Sequence, residues 1–139
     1  MGKTEAKIAL ESANASLESV DLQSIMKLKI AIPDDLEEGQ ARCFRIVMKG
    51  RYVSCFLIRF RGQLLAYQNK CRHLPISLDY DDARFFDSER RYLVCQTHGA
   101  LYEPSSGLCV DGPCRGESLY PVPLEIDETG VFVESEAEA

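Results

Sequence analysis

Between residues 41 and 69 the chain carries three runs whose apolar and polar positions follow a strand period, separated by glycine turns. "ARCFRIVMK" (41–49) alternates, with Cys43 and Cys55 of the neighbouring run taken as core positions. "YVSCFLIRF" (52–60) is almost continuously apolar and rich in β-formers, and "QLLAYQN" (63–69) follows as a third strand. Lys49-Gly50-Arg51 and Arg61-Gly62 supply the turns between them, so the pattern predicts a meander. Four shorter runs come later: "ALYE" (100–103), "GLCV" (107–110), "LYPVPLEI" (119–126) and "VFVE" (131–134). "PSSG", "DGPCRG" and "DETG" punctuate them. Many short strands with Gly/Pro turns predict an all-β domain, an antiparallel β-sandwich or partial barrel. Residues 1–25, rich in Ala, Ser and Glu, read as a loosely ordered or helical extension, and 136–139 as an acidic tail.

Length and charge narrow the picture. The 139 residues suggest one domain with enough apolar content, 45%, to bury a core without disulfides. A net charge of −6 argues against nucleic acid or an anionic membrane as partner, since both select a cationic face. No apolar run approaches the length of a membrane span, and the start "MGKTEAKIALESANAS" is too polar and acidic for a signal peptide. The expected location is cytoplasmic, where six cysteines point to metal binding or packing before disulfides.

The chain has two histidines, and each follows a cysteine at short spacing: Cys71-x-His73, then 21 residues, then Cys95-x-x-His98. Each segment offers one thiolate and one imidazole. Such a set suits a tetrahedral Cys₂His₂ zinc site. The mixed order, one Cys and one His per loop, suits a dinuclear iron centre in which the cysteines hold one iron and the histidines the other. Two loops side by side on a β scaffold then present a sulfur end and a nitrogen end to one cluster.

"CRH" followed by "CQTHG" resembles the Rieske [2Fe–2S] motif, and "GALYEPSSGLCVDGPCRGESLYPVPLEI" is similar to the remainder of a Rieske ferredoxin-type domain. The resemblance spans about residues 26–135. It implies a Rieske-like fold with two cluster-binding loops and one [2Fe–2S] cluster per chain. It also implies that Cys71 and Cys95 ligate the buried iron, and His73 and His98 the outer iron near solvent. Respiratory members pair a further cysteine from each loop; the matching positions here are Ile76 and Thr97, so the resemblance is to a ferredoxin-type carrier. The implied partners are a reductase and an oxygenase or other redox enzyme. A cluster-binding accessory subunit or redox sensor, and a zinc-stabilised structural module, are the alternatives.

High-potential members place a hydroxyl after the glycine of the second loop, where this chain has Ala100; Tyr102 sits where a second donor can occur. Hydrogen bonds to cluster sulfurs raise the potential, so a value in the lower half of the roughly −150 to +300 mV family range is expected. Two departures stand out. The gap between the motifs exceeds the family's usual spacing, the excess falling in "YDDARFFDSERR" (80–91), read as a solvated hairpin excursion or, alternatively, a docking surface beside the cluster; acids within 79–88 are expected to orient a basic partner. Gln96-Thr97 replaces the Pro-plus-apolar pair of many ferredoxins. Cys109 and Cys114, flanking the Gly112-Pro113 loop, are expected to be buried reduced thiols, with Leu74 an apolar shoulder beside His73.

Overall fold

A computed structural model describes residues 25–74, 76–80 and 82–137; nearly all of the extension expected over 1–25 and the end of the acidic tail lie outside the described residues. Nine strands and no helix are found among these residues: β1 (Ile25–Ala31), β2 (Ala41–Met48), β3 (Arg51–Phe60), β4 (Gln63–Gln68), β5 (Leu93–Val94), β6 (Leu101–Tyr102), β7 (Cys109–Asp111), β8 (Glu125–Asp127) and β9 (Gly130–Glu136). They form three antiparallel three-stranded sheets, ordered β1-β9-β8, β2-β3-β4 and β5-β6-β7, and none closes into a barrel.

The meander forms as its pattern predicts. Lys49 and Gly50 have φ of 52° and 75°, and Arg61 and Gly62 have 52° and 80°. Two consecutive left-handed residues make the tight turn whose twist matches the flanking strands. Strand β3 is central in its sheet and covered on both faces, which is why its sequence is a continuous apolar run. Phe56, Ile58 and Phe60 face one core with Tyr67, Leu78, Phe85, Leu93 and Tyr102. Cys55 and Leu57 face a second core with Ile46, Ala66, Val122, Val131 and Val133. The first core lies beneath the two Cys–His loops; the second joins the meander to the β1-β9-β8 sheet. Ser135 of β9 accepts a buried hydrogen bond from Val47 N–H at 2.9 Å, and the Glu136 carboxylate accepts from Lys49 and Gly50 N–H at 2.7 and 3.1 Å.

Four expectations are corrected. Strand β1 was not among the predicted strands. Residues 119–126 are not one strand: only their end enters β8, although Gln68 N–H and Val122 N–H bond across to Tyr120 and Ala66 carbonyls. Pro121 and Pro123 lack the N–H groups a continuous ladder needs. Cys43 is exposed on the edge strand β2, whereas Cys55 is buried. The 80–91 excursion is not merely solvated. It carries a hairpin-like bridge, Phe86 to Leu93, and Phe85 stacks on Phe56 at 4.1 Å between ring centroids. Phe86 stacks on Phe60 at 6.2 Å. The aromatic pair therefore anchors the longer connection to the central strand.

Carboxylates that cap turns tie the fold to pH. Glu38 accepts from Gly62 and Arg61 N–H, and these bonds hold its carboxyl below the usual range. Thr129 does the same for Asp127 by side chain and backbone, and Ile32 N–H for Asp35. A carboxyl whose pKa is lower folded than unfolded adds stability above its unfolded pKa, and loses it as pH falls through the folded one. The melting temperature is thus expected to fall on acidification below about pH 4.5. Glu38→Gln should make this acid slope shallower, measured by thermal melts across pH 2.5–6; an unchanged slope would remove Glu38 from the account.

Candidate metal centre

Two short loops from neighbouring parts of the first core carry the candidate ligands. The first follows β4. Cys71 N–H bonds to the Ile76 carbonyl at 2.8 Å, closing a turn that leaves Cys71 buried and His73 exposed. The second is the β5–β6 hairpin. Cys95 N–H bonds to the Ala100 carbonyl at 2.9 Å and Gly99 N–H to the Cys95 carbonyl at 2.7 Å. Gly99, at φ +74°, makes that reversal possible, so Cys95 points inward and His98 stays half-buried.

The ligand atoms of Cys71, Cys95 and His98 all lie within 4.8 Å of one another. The His73 ring meets the His98 ring edge-on, 4.7 Å between centroids. Three of the four predicted residues therefore have their ligand atoms within reach of one another, and His73 joins them through its ring contact with His98, with two sulfurs on the protein side and two imidazoles on the solvent side.

Backbone N–H groups of His73 and Leu74 point at the Cys71 sulfur, and those of Thr97 and His98 at the Cys95 sulfur. Each turn thus supplies donors to its own thiolate. Burial pushes the Cys71 thiol up, but the Tyr102 hydroxyl and these N–H groups outweigh it and the net shift is downward. Burial dominates at Cys95, which is raised, and the neighbouring Cys71 adds to it.

A surrounding network fixes both loops. The Tyr102 hydroxyl lies 3.5 Å from the Cys71 sulfur and 3.2 Å from the Cys114 sulfur, and accepts from Arg72 N–H at 3.0 Å. Arg72 donates to the Ser118 carbonyl at 2.7 Å, pairs with Glu117 at 3.1 Å and stacks on Tyr120. Asn69 accepts from Leu78 N–H at 2.7 Å and donates to buried Asp79 at 3.0 Å. Asp79 in turn accepts from Ala83 N–H at 2.9 Å. Gln96 N–H reaches the Leu78 carbonyl at 2.8 Å, joining the loops directly. Tyr102 was legible in the sequence as a possible donor. Arg72, Asn69, Asp79 and Tyr120 were not, although Arg72 sits inside the motif.

Three of the acids expected to orient a partner are engaged within the protein. Asp79 faces inward, Asp82 pairs with Arg84 at 3.1 Å, and Asp87 caps Arg91 N–H at 2.9 Å. Lys70, Arg72, Leu74 and Tyr120 instead border the pocket beside His73. Leu74 is exposed, as expected of an apolar shoulder.

A family model described as "Rieske [2Fe-2S] domain" matches residues 26–128. The chain belongs to the Rieske [2Fe–2S] domain family. A Rieske domain carries a [2Fe–2S] cluster, and the donor set here fits one: two inward sulfurs and two outward imidazoles converge on one region. Similar solved structures include the ferredoxin of carbazole 1,9a-dioxygenase from Nocardioides aromaticivorans. It is 20% identical, the match covering 82% of this chain and 99% of that one, with a TM-score of 0.58. A complex of reduced oxygenase and oxidised ferredoxin in carbazole 1,9a-dioxygenase matches at 23% identity, covering 81% and 96%, with a TM-score of 0.61. The reduced complex between oxygenase and ferredoxin of that system matches at 16%, covering 77% of this chain but only 27% of that one, with a TM-score of 0.63. The Rieske chain described here thus spans little more than a quarter of the larger chains it resembles. At these identities the likeness is one of fold. No curated protein sequence matches the chain. Among the described residues no helix is long and apolar enough to cross a membrane.

Proposed function

We propose that this Rieske domain is a one-electron carrier of ferredoxin type, with Cys71 and Cys95 holding the inner iron and His73 and His98 the outer one. The observation that carries the reading is the polarity of the site: both sulfurs buried, His73 exposed and His98 half-buried. When bound, the cluster supplies a one-electron couple. The chain's own residues insulate its sulfur end with the first core, aim backbone N–H groups at both thiolates, and leave the imidazole edge open to a partner. Leu74 and Tyr120 give that edge apolar contact, and Lys70 favours acidic groups on whatever docks there. The partners are proposed to be a reductase and an oxygenase or similar terminal enzyme, by analogy with the ferredoxin–oxygenase complexes of like fold, and the location cytoplasmic.

Aerobically purified protein is expected to show red-brown absorption and to take up one electron per chain. The midpoint should lie in the lower half of the roughly −150 to +300 mV span of Rieske centres. Ala100 offers no hydroxyl to the cluster, and the Tyr102 hydroxyl is shared between two sulfurs. A colourless protein loaded with zinc would overturn the carrier reading. A midpoint near the top of the span would overturn the account of its hydrogen bonding.

A further inference from the structure

Outside the proposed ligands, two thiols stand unusually close. Cys109 opens β7 and Cys114 lies beyond the Gly112-Pro113 loop; the Cys114 sulfur is 3.2 Å from that of Cys109. Both are buried and reduced. Backbone bonds hold them in register: Cys109 N–H to the Glu117 carbonyl at 2.7 Å, Gly116 N–H to Cys109 at 3.0 Å and Glu117 N–H to Cys114 at 2.9 Å. The same Cys114 sulfur is 3.2 Å from the Tyr102 hydroxyl, which is 3.5 Å from the Cys71 sulfur. One hydroxyl therefore stands between this dithiol and a proposed cluster ligand.

We propose that Cys109 and Cys114 form a reversible dithiol–disulfide site, oxidised by exchange with a small disulfide, and that Tyr102 passes its state to the Cys71 sulfur. The second half rests on the ligation proposed above; the first does not. The chemistry balances as a two-electron exchange. Cys114, at 5% exposure the more open of the two, attacks a low-molecular-weight disulfide as its thiolate and displaces one small thiol, which takes up the proton Cys114 lost. Cys109 attacks the Cys114 sulfur in turn and displaces the second small thiol, which takes up its proton. Two protein thiols become one disulfide, and one small disulfide becomes two thiols. Burial slows the first attack, so hours are the appropriate timescale.

The coupling follows from proton count. Tyr102 has one hydroxyl hydrogen and two sulfurs in reach. In the dithiol, Cys109 donates to the Asp111 carbonyl at 3.2 Å and Cys114 donates to Cys109, so the Cys114 sulfur is free to take a share of the Tyr102 hydrogen that Cys71 also accepts. Forming the S–S bond, about 2.05 Å long, draws the Cys114 sulfur toward Cys109. Tyr102 then donates to Cys71 alone. An undivided hydrogen bond to a cluster thiolate stabilises the added electron more than a shared one, so oxidation of the pair raises the cluster's potential.

The test uses the cluster-loaded protein, incubated anaerobically with glutathione disulfide. Alkylation with intact mass and peptide mapping reads the thiols, and a redox titration reads the cluster before and after. The expected result is loss of the alkylatable thiols of Cys109 and Cys114, mapped apart from any adduct on exposed Cys43, a Cys109–Cys114 linked peptide, an upward shift of the midpoint, and reversal of all three by dithiothreitol. Tyr102→Phe should form the same disulfide with no shift. If that variant fails to hold its cluster, Cys109→Ala, which cannot close the disulfide, should keep its midpoint after the same treatment. Two thiols that stay alkylatable, or a stable glutathione adduct on Cys114, would overturn the site. A disulfide that leaves the wild-type midpoint unmoved would overturn the coupling. Failure of the ligation itself shows separately, as untreated protein without visible absorption, and the mass readout still decides the disulfide.

Discussion

Alanine in place of Cys71 or Cys95 is expected to give a folded protein with no visible cluster absorption, its iron and acid-labile sulfide at background. The energetics separate the two parts of that statement. Each substitution removes one buried sulfur from the first core, a loss of packing comparable to a methylene-sized group, about 1 kcal/mol. Typical domains hold about 5–15 kcal/mol in reserve. The second core, built from Ile46, Cys55, Leu57, Ala66, Val122, Val131 and Val133, contains no ligand and is untouched. Binding loses far more, because a thiolate ligand is replaced by a methyl group that donates nothing and the iron it held has no substitute within reach. Cys114, a buried thiol outside the proposed ligand set, is separated from Cys71 by the Tyr102 hydroxyl. His73→Ala and His98→Ala should also lose the cluster, through the outer iron. Circular dichroism and iron analysis on the same samples check both halves. A Cys95→Ala protein that kept its iron and sulfide would sink the ligand assignment; one that lost its β-sheet signal would sink the claim that the cores are independent.

The convergence of the Cys–His segments was legible because each is local. Two hydrogen-bonded turns a few residues long put cysteine inward and histidine outward, and short spacing records that directly. The meander was legible for the same reason: period-two runs and left-handed glycine turns are properties of neighbouring residues. The long-range contacts were not. Phe85 reads as part of a polar, charged stretch, yet its ring lies flat on Phe56 across the sheet. Asp79 reads as a surface acid, yet it is buried because Asn69 and Ala83 satisfy its oxygens. Cys43 follows the alternation of β2, but β2 is an edge strand and the side chain is left exposed. In each case the deciding partner lies on another element, which periodicity within one element does not record.

The second large effect is expected at a residue that touches no metal ligand. Gly112→Ala should strip the protein of most of its cluster, while Gly116→Ala, four residues on, should keep it. Both glycines have a φ that L side chains rarely adopt, +109° and +94°. The backbone strain of either substitution is about 1–3 kcal/mol. They differ in what a new methyl group meets. At Gly116 there is open space, but at Gly112 the Cβ would lie 2.9 Å from the Ala100 Cα and 3.2 Å from its Cβ. The first contact is to backbone, which cannot rotate away, and Ala100 is fully buried. Overpacking of this kind adds about 1–3 kcal/mol. The direction of relief matters more than the sum. Ala100 accepts the hydrogen bond from Cys95 N–H that closes the second ligand turn, so pushing it outward moves the hairpin bearing Cys95 and His98. The Gly112-Pro113 loop therefore acts as a stop that sets the depth of the second loop. Iron per chain and the melting temperature, measured on both variants, separate strain from displacement. Equal iron content in the two would show that the loop merely covers the site.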